Sequence, residues 1–300
     1  SPEEAELFFK RTKEALQSNK TFSLHILCDF NGSARARSID KELFESVGAN
    51  FCAFNDKAGN IAHGIIPEGD NLTALKEKLE ESYKKNGEHG MFLGYMPDCD
   101  GDRGNVVYID KFGKACILKS QEVFCLAVVA EILHSKCLKK EKIAAVANGP
   151  TSLLLEELAA SLSFSVFRSE VGEANVVKLA KKIEKQGYYV RIFGEGSNGG
   201  SIVPPSLVRD PLNTLFALLK FFLLEGESSI FCAWKKALNI VDDKMRATSF
   251  SDIVNLLPKY HTTPVAEERA ILKVKIEDVS LFRRNFQKLF FWSGKKKRAS

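Results

Sequence analysis

Met91-Phe-Leu-Gly-Tyr-Met96-Pro-Asp98-Cys-Asp100-Gly-Asp102-Arg103 changes character at its middle. The first six residues read as a short buried β-strand, and the last six place three carboxylates at alternate positions on the loop that leaves it. Alternation turns the three side chains to one side, and Gly101 permits the tight bend. Carboxylate oxygens in this spacing suit Mg²⁺, which keeps open positions for water or phosphate oxygens. Asp98, Asp100 and Asp102 are therefore the candidate metal ligands, and Cys99 is expected to point away from the ion. Arg103 follows at once, where a guanidinium can hold a phosphate beside the metal, and is the candidate catalytic residue. A solvated acidic turn is the plain alternative, disfavoured by the apolar strand that delivers these residues. A calcium-sensing helix–loop–helix starting at Asp98 is excluded: it needs glycine at its sixth position and glutamate at its twelfth, which are Arg103 and Ile109 here.

Working outward, strands and helices alternate. Residues 2–17 form an amphipathic helix, and Leu24–Phe30 is a buried strand ending at Asn31-Gly32. Ile39–Val47 is helical, with Gly48 as its C-cap. Asn50–Asn55 is a strand, and Leu72–Lys85 a helix with Asp70 or Asn71 as N-cap and Leu72, Leu75, Leu79 and Tyr83 on one face. After the acidic loop, Val106–Asp110 and Lys111–Cys116 read as a hairpin, followed by an apolar helix over 120–137. A second unit repeats the rhythm: strand Lys142–Ala147, helix Ser152–Ser161, strand Ser165–Arg168, helix Val176–Gln186, strand Tyr188–Phe193. Asp210 is an N-cap and Pro211 the first-turn proline of a helix over 211–224. Two such units argue for layered α/β subdomains that are copies of one another. Beyond 226 a helix over Trp234–Val241, a connector over 254–264, a strand over Ala270–Ile276 and a helix through Leu281–Leu289 are expected, ending near Phe290-Phe-Trp292.

The 300 residues exceed what one core usually organises, so two or three subdomains are expected. No run of eighteen apolar residues occurs, which excludes a membrane-spanning helix, and Ser1-Pro-Glu-Glu-Ala does not resemble a signal peptide. Seven cysteines, never spaced as Cys-x-x-Cys, read as buried free thiols of a cytoplasmic protein. The net charge of +5 is uneven: residues 261–300 carry +6 and the rest −1. Nucleic-acid binding by the whole chain is thereby excluded, and the tail Lys295–Arg298 reads as solvated.

Gly194-Glu-Gly-Ser-Asn-Gly-Gly200 follows a strand and offers two capable side chains, Glu195 and Ser197. A carboxylate and a hydroxyl two residues apart can grip vicinal hydroxyls of a sugar, and both are candidate substrate-binding residues. No Gly-Lys-Ser/Thr follows and the loop opens no helix, so neither a P-loop nor a dinucleotide site fits. Glu170-Val-Gly-Glu173-Ala-Asn175 reads as a helix N-cap turn.

Together these motifs resemble the α-D-phosphohexomutase family, the phosphoglucomutases and phosphomannomutases. Asp98, Asp100, Asp102 and Arg103 are similar to its Asp-x-Asp-Gly-Asp-Arg metal loop, and Gly194, Glu195 and Ser197 to its Gly-Glu-x-Ser-Gly sugar loop. Val171-Gly172 resembles the turn ahead of that loop, Asp29-Phe-Asn-Gly32 a strand-end Asp-x-x-Gly, and Pro67–Leu72 a proline–glutamate segment before a helix. The resemblance covers roughly residues 20–225.

It implies a fold of two tandem three-layer α/β subdomains of the phosphohexomutase type plus a partial C-terminal α+β segment, divided as 1–140, 141–225 and 226–300. It further implies Mg²⁺ as cofactor, a hexose phosphate as substrate, and a phosphoserine that exchanges phosphate with either hydroxyl of the sugar. Arg103 would help hold that phosphoserine. No Ser-His-Asn phosphoserine segment occurs within these residues, Asn198 is inserted or substituted, and Gly199 stands where many relatives carry histidine. The expectation is therefore a mutase fragment whose phosphoserine domain lies elsewhere in its parent, inactive alone, with no nucleic-acid or membrane partner. A non-catalytic phosphosugar-binding or scaffolding relative is the alternative. A haloacid-dehalogenase-type phosphatase using Asp98 as nucleophile is a third.

Overall fold

A computed structural model describes residues 6–7, 9–10, 13–14, 23–86, 90–196, 200–224, 229–241, 247–260 and 275–297. The chain divides into two compact units, residues 1–260 and 261–300. The first contains two sheets.

The first sheet is built from β1 (Leu24–Asp29), β2 (Asn50–Phe54), β3 (Met91–Pro97), β4 (Gly104–Ile109) and β5 (Ala115–Ile117), with α1 (Asp40–Ser46) and α2 (Thr73–Asn86) between them. Its strand order is β2-β1-β3-β4-β5. β1 lies parallel to both neighbours, and β3, β4 and β5 run antiparallel in succession. Alternation sorts the side chains. Leu24, Ile26, Cys28, Met91, Leu93 and Tyr95 face one core, and Phe92, Met96, Val107 and Ile109 face α2 through Leu72, Leu75 and Leu79.

α3 (Ser120–Cys137) leads into the second sheet. That sheet comprises β6 (Ile143–Asn148), β7 (Ser165–Ser169), β8 (Tyr189–Glu195) and β9 (Gly200–Ile202), interleaved with α4 (Leu154–Leu162) and α5 (Glu173–Glu184). Its order, β7-β6-β8-β9, repeats β2-β1-β3-β4, with the fourth strand again antiparallel. The acidic turn and the glycine-rich turn thus occupy the same hairpin in two equivalent sheets. Pairing between β6 and β8 skips Arg191, since Ala144 opposes Val190 while Ala145 opposes Ile192. At this bulge the side chain of Arg191 reaches Glu131 of α3 at 2.7 Å.

α3 is buried all round from Val123 to Leu133, as its apolar sequence requires. Its side chains join one continuous core with those of β1, β3, β6, α4 and α6 (Pro211–Leu223). α7 (Ile230–Ala237), with Trp234 fully buried, and α8 (Phe250–Val254) complete that cluster. In the second unit, α9 (Val279–Lys297) opens with the Asp278 carboxylate accepting from Leu281 N at 2.8 Å.

Several expected boundaries move. The helix expected from Leu72 begins at Thr73, after a 3-10 turn over Gly69–Leu72, and neither Asp70 nor Asn71 caps it: Asn71 instead donates to the Ile66 carbonyl. The helix expected over Trp234–Val241 starts earlier, because Ser229 caps it by accepting from Cys232 N. α8 ends at Val254, where the expected connector over 254–264 begins, and is too short for periodicity to reveal. Within the expected 2–17 helix, the described residues between 6 and 14 are helical, and the ring of Phe9 packs edge-on to Phe216. The strand expected over 270–276 falls outside the described residues except for Lys275 and Ile276, which are not in a strand. All seven cysteines are free, but only Cys28 and Cys125 are buried; Cys52 on the edge strand β2 is exposed.

Candidate functional site

The acidic turn is held by its own backbone. Asp98 Oδ1 accepts from the amides of Gly101 and Arg103, both at 3.1 Å, while Oδ2 takes Arg103 Nε at 2.6 Å. Gly101 adopts φ +80, the left-handed region that favours glycine, as the tight bend requires. Beneath it lies the loop after β1. Ala34 N donates to the Cys99 carbonyl at 2.9 Å, and Arg35 Nη1 donates to the Gly101 carbonyl at 3.2 Å. That loop is fixed in turn by the buried Asp29. Its Oδ1 accepts from Asn31 N and Asn55 Nδ2, and its Oδ2 lies 2.8 Å from His63 Nε2. The Asp-x-x-Gly segment read at β1 therefore works as a support for the acidic turn.

Asp98, Asp100 and Asp102 each present a ligand atom, all within 4.8 Å of one another. Asp98 is buried, Asp102 half-buried and Asp100 exposed, so the cluster opens to solvent on one side. Burial raises the Asp102 carboxyl above its ordinary value; Arg209 opposes this, Asp98 and Asp100 add to it, and Arg103 opposes it again. Asp102 Oδ1 is buried with no hydrogen-bond partner among the described residues. A buried carboxylate oxygen without a hydrogen bond, 3.5 Å from Arg103 Nε and beside two further carboxylates, fits a hard divalent cation. Arg103 is 41% exposed, and among the described residues only its Nε is hydrogen-bonded, leaving both Nη nitrogens for an anion. Both oxygens of Asp98 are engaged within its own turn, which orients a ligand better than it frees a nucleophile.

Glu195 ends β8 and is buried, 4% exposed. Its Oε1 accepts from Asn148 Nδ2 at 2.7 Å and Gly172 N at 3.0 Å, and its Oε2 from Arg209 Nη1 at 3.3 Å. The Val171-Gly172 turn thus meets the glycine-rich loop directly. Ser197 lies outside the described residues. Gly172, rather than a side chain, occupies the N-cap of α5, and Glu173 pairs with Arg209 Nε at 2.8 Å.

The acidic turn and the end of β8 come together. Arg209 Nη2 donates to Asp102 Oδ2, so one guanidinium spans Asp102, Glu173 and Glu195. A Cβ at Gly200 would stand 3.0 Å from the Asp102 carbonyl oxygen, which keeps that strand start bare. The next residue, Asp210, takes Arg35 Nη1 at 3.0 Å. Sequence reading missed Arg209, Arg35 and Asn148. The only available signal was an arginine immediately before the Asp210-Pro211 helix start, since its partners lie far away in the chain.

Residues 123–257 match the family model for phosphoglucomutase/phosphomannomutase, alpha/beta/alpha domain III. That stretch is a domain of the phosphohexomutase kind, and the family resemblance drawn from the motifs is borne out. Among solved structures, a phosphoglucomutase/phosphomannomutase family protein from Burkholderia thailandensis aligns at 17% identity and TM-score 0.57, over 87% of this chain and 48% of its own. The pp63/parafusin phosphoglucomutase of Paramecium aligns at 18% identity and TM-score 0.54, over 85% of this chain and 40% of its own. At these identities the likeness is one of fold, and the chain spans less than half the length of either protein. Comparison with curated proteins gives no match.

Proposed function

We propose that the chain carries the cation-holding and sugar-holding portion of a phosphohexomutase-type enzyme, one that moves a phosphoryl group between the 1- and 6-positions of a hexose phosphate. The observation that carries this reading is the approach of the acidic turn to the Glu195 strand end, with Arg209 hydrogen-bonded to both. Asp98, Asp100 and Asp102 hold Mg²⁺, which when bound supplies Lewis-acid polarisation and charge neutralisation for a phosphoryl oxygen. Arg103 offers its Nη nitrogens to the phosphate, while Glu195 and Ser197 accept from and donate to sugar hydroxyls. The phosphoserine comes from a domain outside these residues. Gly199, standing in the position where many relatives carry histidine, gives the loop no acid–base group there.

Titration of the chain with Mn²⁺, followed by electron paramagnetic resonance, tests the cation site. One saturable site is expected, lost in Asp100→Ala; retention of that site in the variant would refute the assignment. In a coupled assay, residues 1–300 alone are expected to leave glucose 1-phosphate unconverted. Formation of glucose 6-phosphate would overturn the placement of the phosphoryl carrier on another domain.

A further inference from the structure

Arg209 ties together carboxylates from three parts of the site. Its side chain is 14% exposed and donates to Glu173 Oε2, Glu195 Oε2 and Asp102 Oδ2, carboxylates from α5, the end of β8 and the β3–β4 turn. Asp102 is thus divided: Oδ2 is taken by the guanidinium and buried Oδ1 has no hydrogen bond among the described residues. The segment carrying Arg209 is fixed against the turn, since Asp210 is held by Arg35 and Gly200 abuts the Asp102 carbonyl.

We propose that Arg209 is a positioning residue that competes with the divalent cation for Asp102 and passes cation occupancy to the Glu195 loop. The inference rests on the cation reading given above and adds a component to it. A fixed guanidinium neutralises the carboxylate that a cation needs and repels the cation at short range. Cation binding weakens the Asp102 bond, so the fork settles on Glu173 and Glu195, the carboxylates it already touches. By reciprocity, whatever strengthens the Arg209–Asp102 bond weakens the cation. Glu173 is the lever for this: it holds Nε, it is outside both loops, and removing its charge shifts the guanidinium toward Asp102.

The experiment uses the full chain and Mn²⁺ alone, read by electron paramagnetic resonance and calorimetry. Arg209→Met is expected to bind Mn²⁺ about ten-fold tighter, as removal of one nearby positive charge from a solvent-open site of water-like dielectric predicts. Glu173→Gln is expected to bind about three-fold more weakly than the unaltered chain, and to change nothing when added to Arg209→Met. Equal or weaker binding by Arg209→Met, or a Glu173→Gln effect that persists undiminished in that background, overturns the proposal. Equal saturable binding with and without Arg209, lost in Asp100→Ala, sinks this inference alone. No binding by either chain sinks the cation site itself, and the inference with it. Should Arg209→Met melt below the measuring temperature, Arg209→Lys carries the test: an ammonium cannot span three carboxylates, and about three-fold tighter binding is expected.

Discussion

At the scale of single residues, Glu131 is a buried carboxylate held by two cations. It is fully buried on α3, with Lys220 of α6 on one oxygen and Arg191 on the other. Burial pushes its carboxyl upward, but Lys220 and Arg191 outweigh that and bring it from the ordinary 4.5 down to about 2. A carboxylate whose folded value lies below its unfolded one stabilises the fold fully above the unfolded value. That contribution is lost as pH falls from about 4.5 through about 2. Glu131→Gln is expected to cost about 3–5 kcal/mol at pH 7, because two cations are left without their shared partner. Urea denaturation at pH 7 and pH 3 would show the gap between the two proteins narrowing in acid. This residue was legible in part: a lone carboxylate inside an apolar helix demands a partner, though nothing local says which. Asp98, Asp100 and Asp102 were legible because their spacing is local. Arg209 was not, because its partners are brought to it only by the fold.

At the scale of elements, Asp210 does two separate jobs. Asp210 caps α6 by accepting from Leu212 N at 2.9 Å and also receives Arg35. Asp210→Ala is expected to cost about 1–2 kcal/mol for the cap, and to weaken Mn²⁺ binding by loosening Arg35 beneath the Gly101 carbonyl; thermal melts and the same titration check both. The cap and its proline were readable because both signals sit within four residues. The start of α2 was not, since a 3-10 turn over Gly69–Leu72 uses the residues that would otherwise cap it. α3 was readable end to end because burial on every side leaves an apolar stretch from Val123 to Leu133 that only Glu131 interrupts. Leu126→Ala in its middle is expected to cost about 2–5 kcal/mol, the range for deleting a fully buried leucine side chain, measured as a lowered denaturation midpoint.

At the scale of the molecule, the alternating strands and helices announced two α/β layers, but the strand order did not follow from them. Which strand pairs with which is decided by contacts between residues distant in sequence, and by the crossover preferences of parallel strands. The shared burial of α3 against both sheets makes residues 1–260 one cooperative body. A single calorimetric transition is expected for that segment, and two resolved peaks would contradict it. The repeated topology also bears on how fast the chain folds. In each sheet the parallel pairs join remote partners, Leu24 with Met91 and Ile143 with Tyr189. The antiparallel pairs are closed by one short turn each, Pro97 with Gly104 and Glu195 with Gly200. Closing a short loop costs far less entropy than closing a long one, so these two hairpins, with the neighbouring β4–β5 hairpin, are cheaper nuclei than the parallel pairs. Gly101→Ala, strained at φ +80 and placing its Cβ 2.3 Å from Arg35 Cγ, is therefore expected to slow refolding as well as to distort the acidic turn. The turns proposed to hold the cation and the sugar are thus expected to close early in assembly.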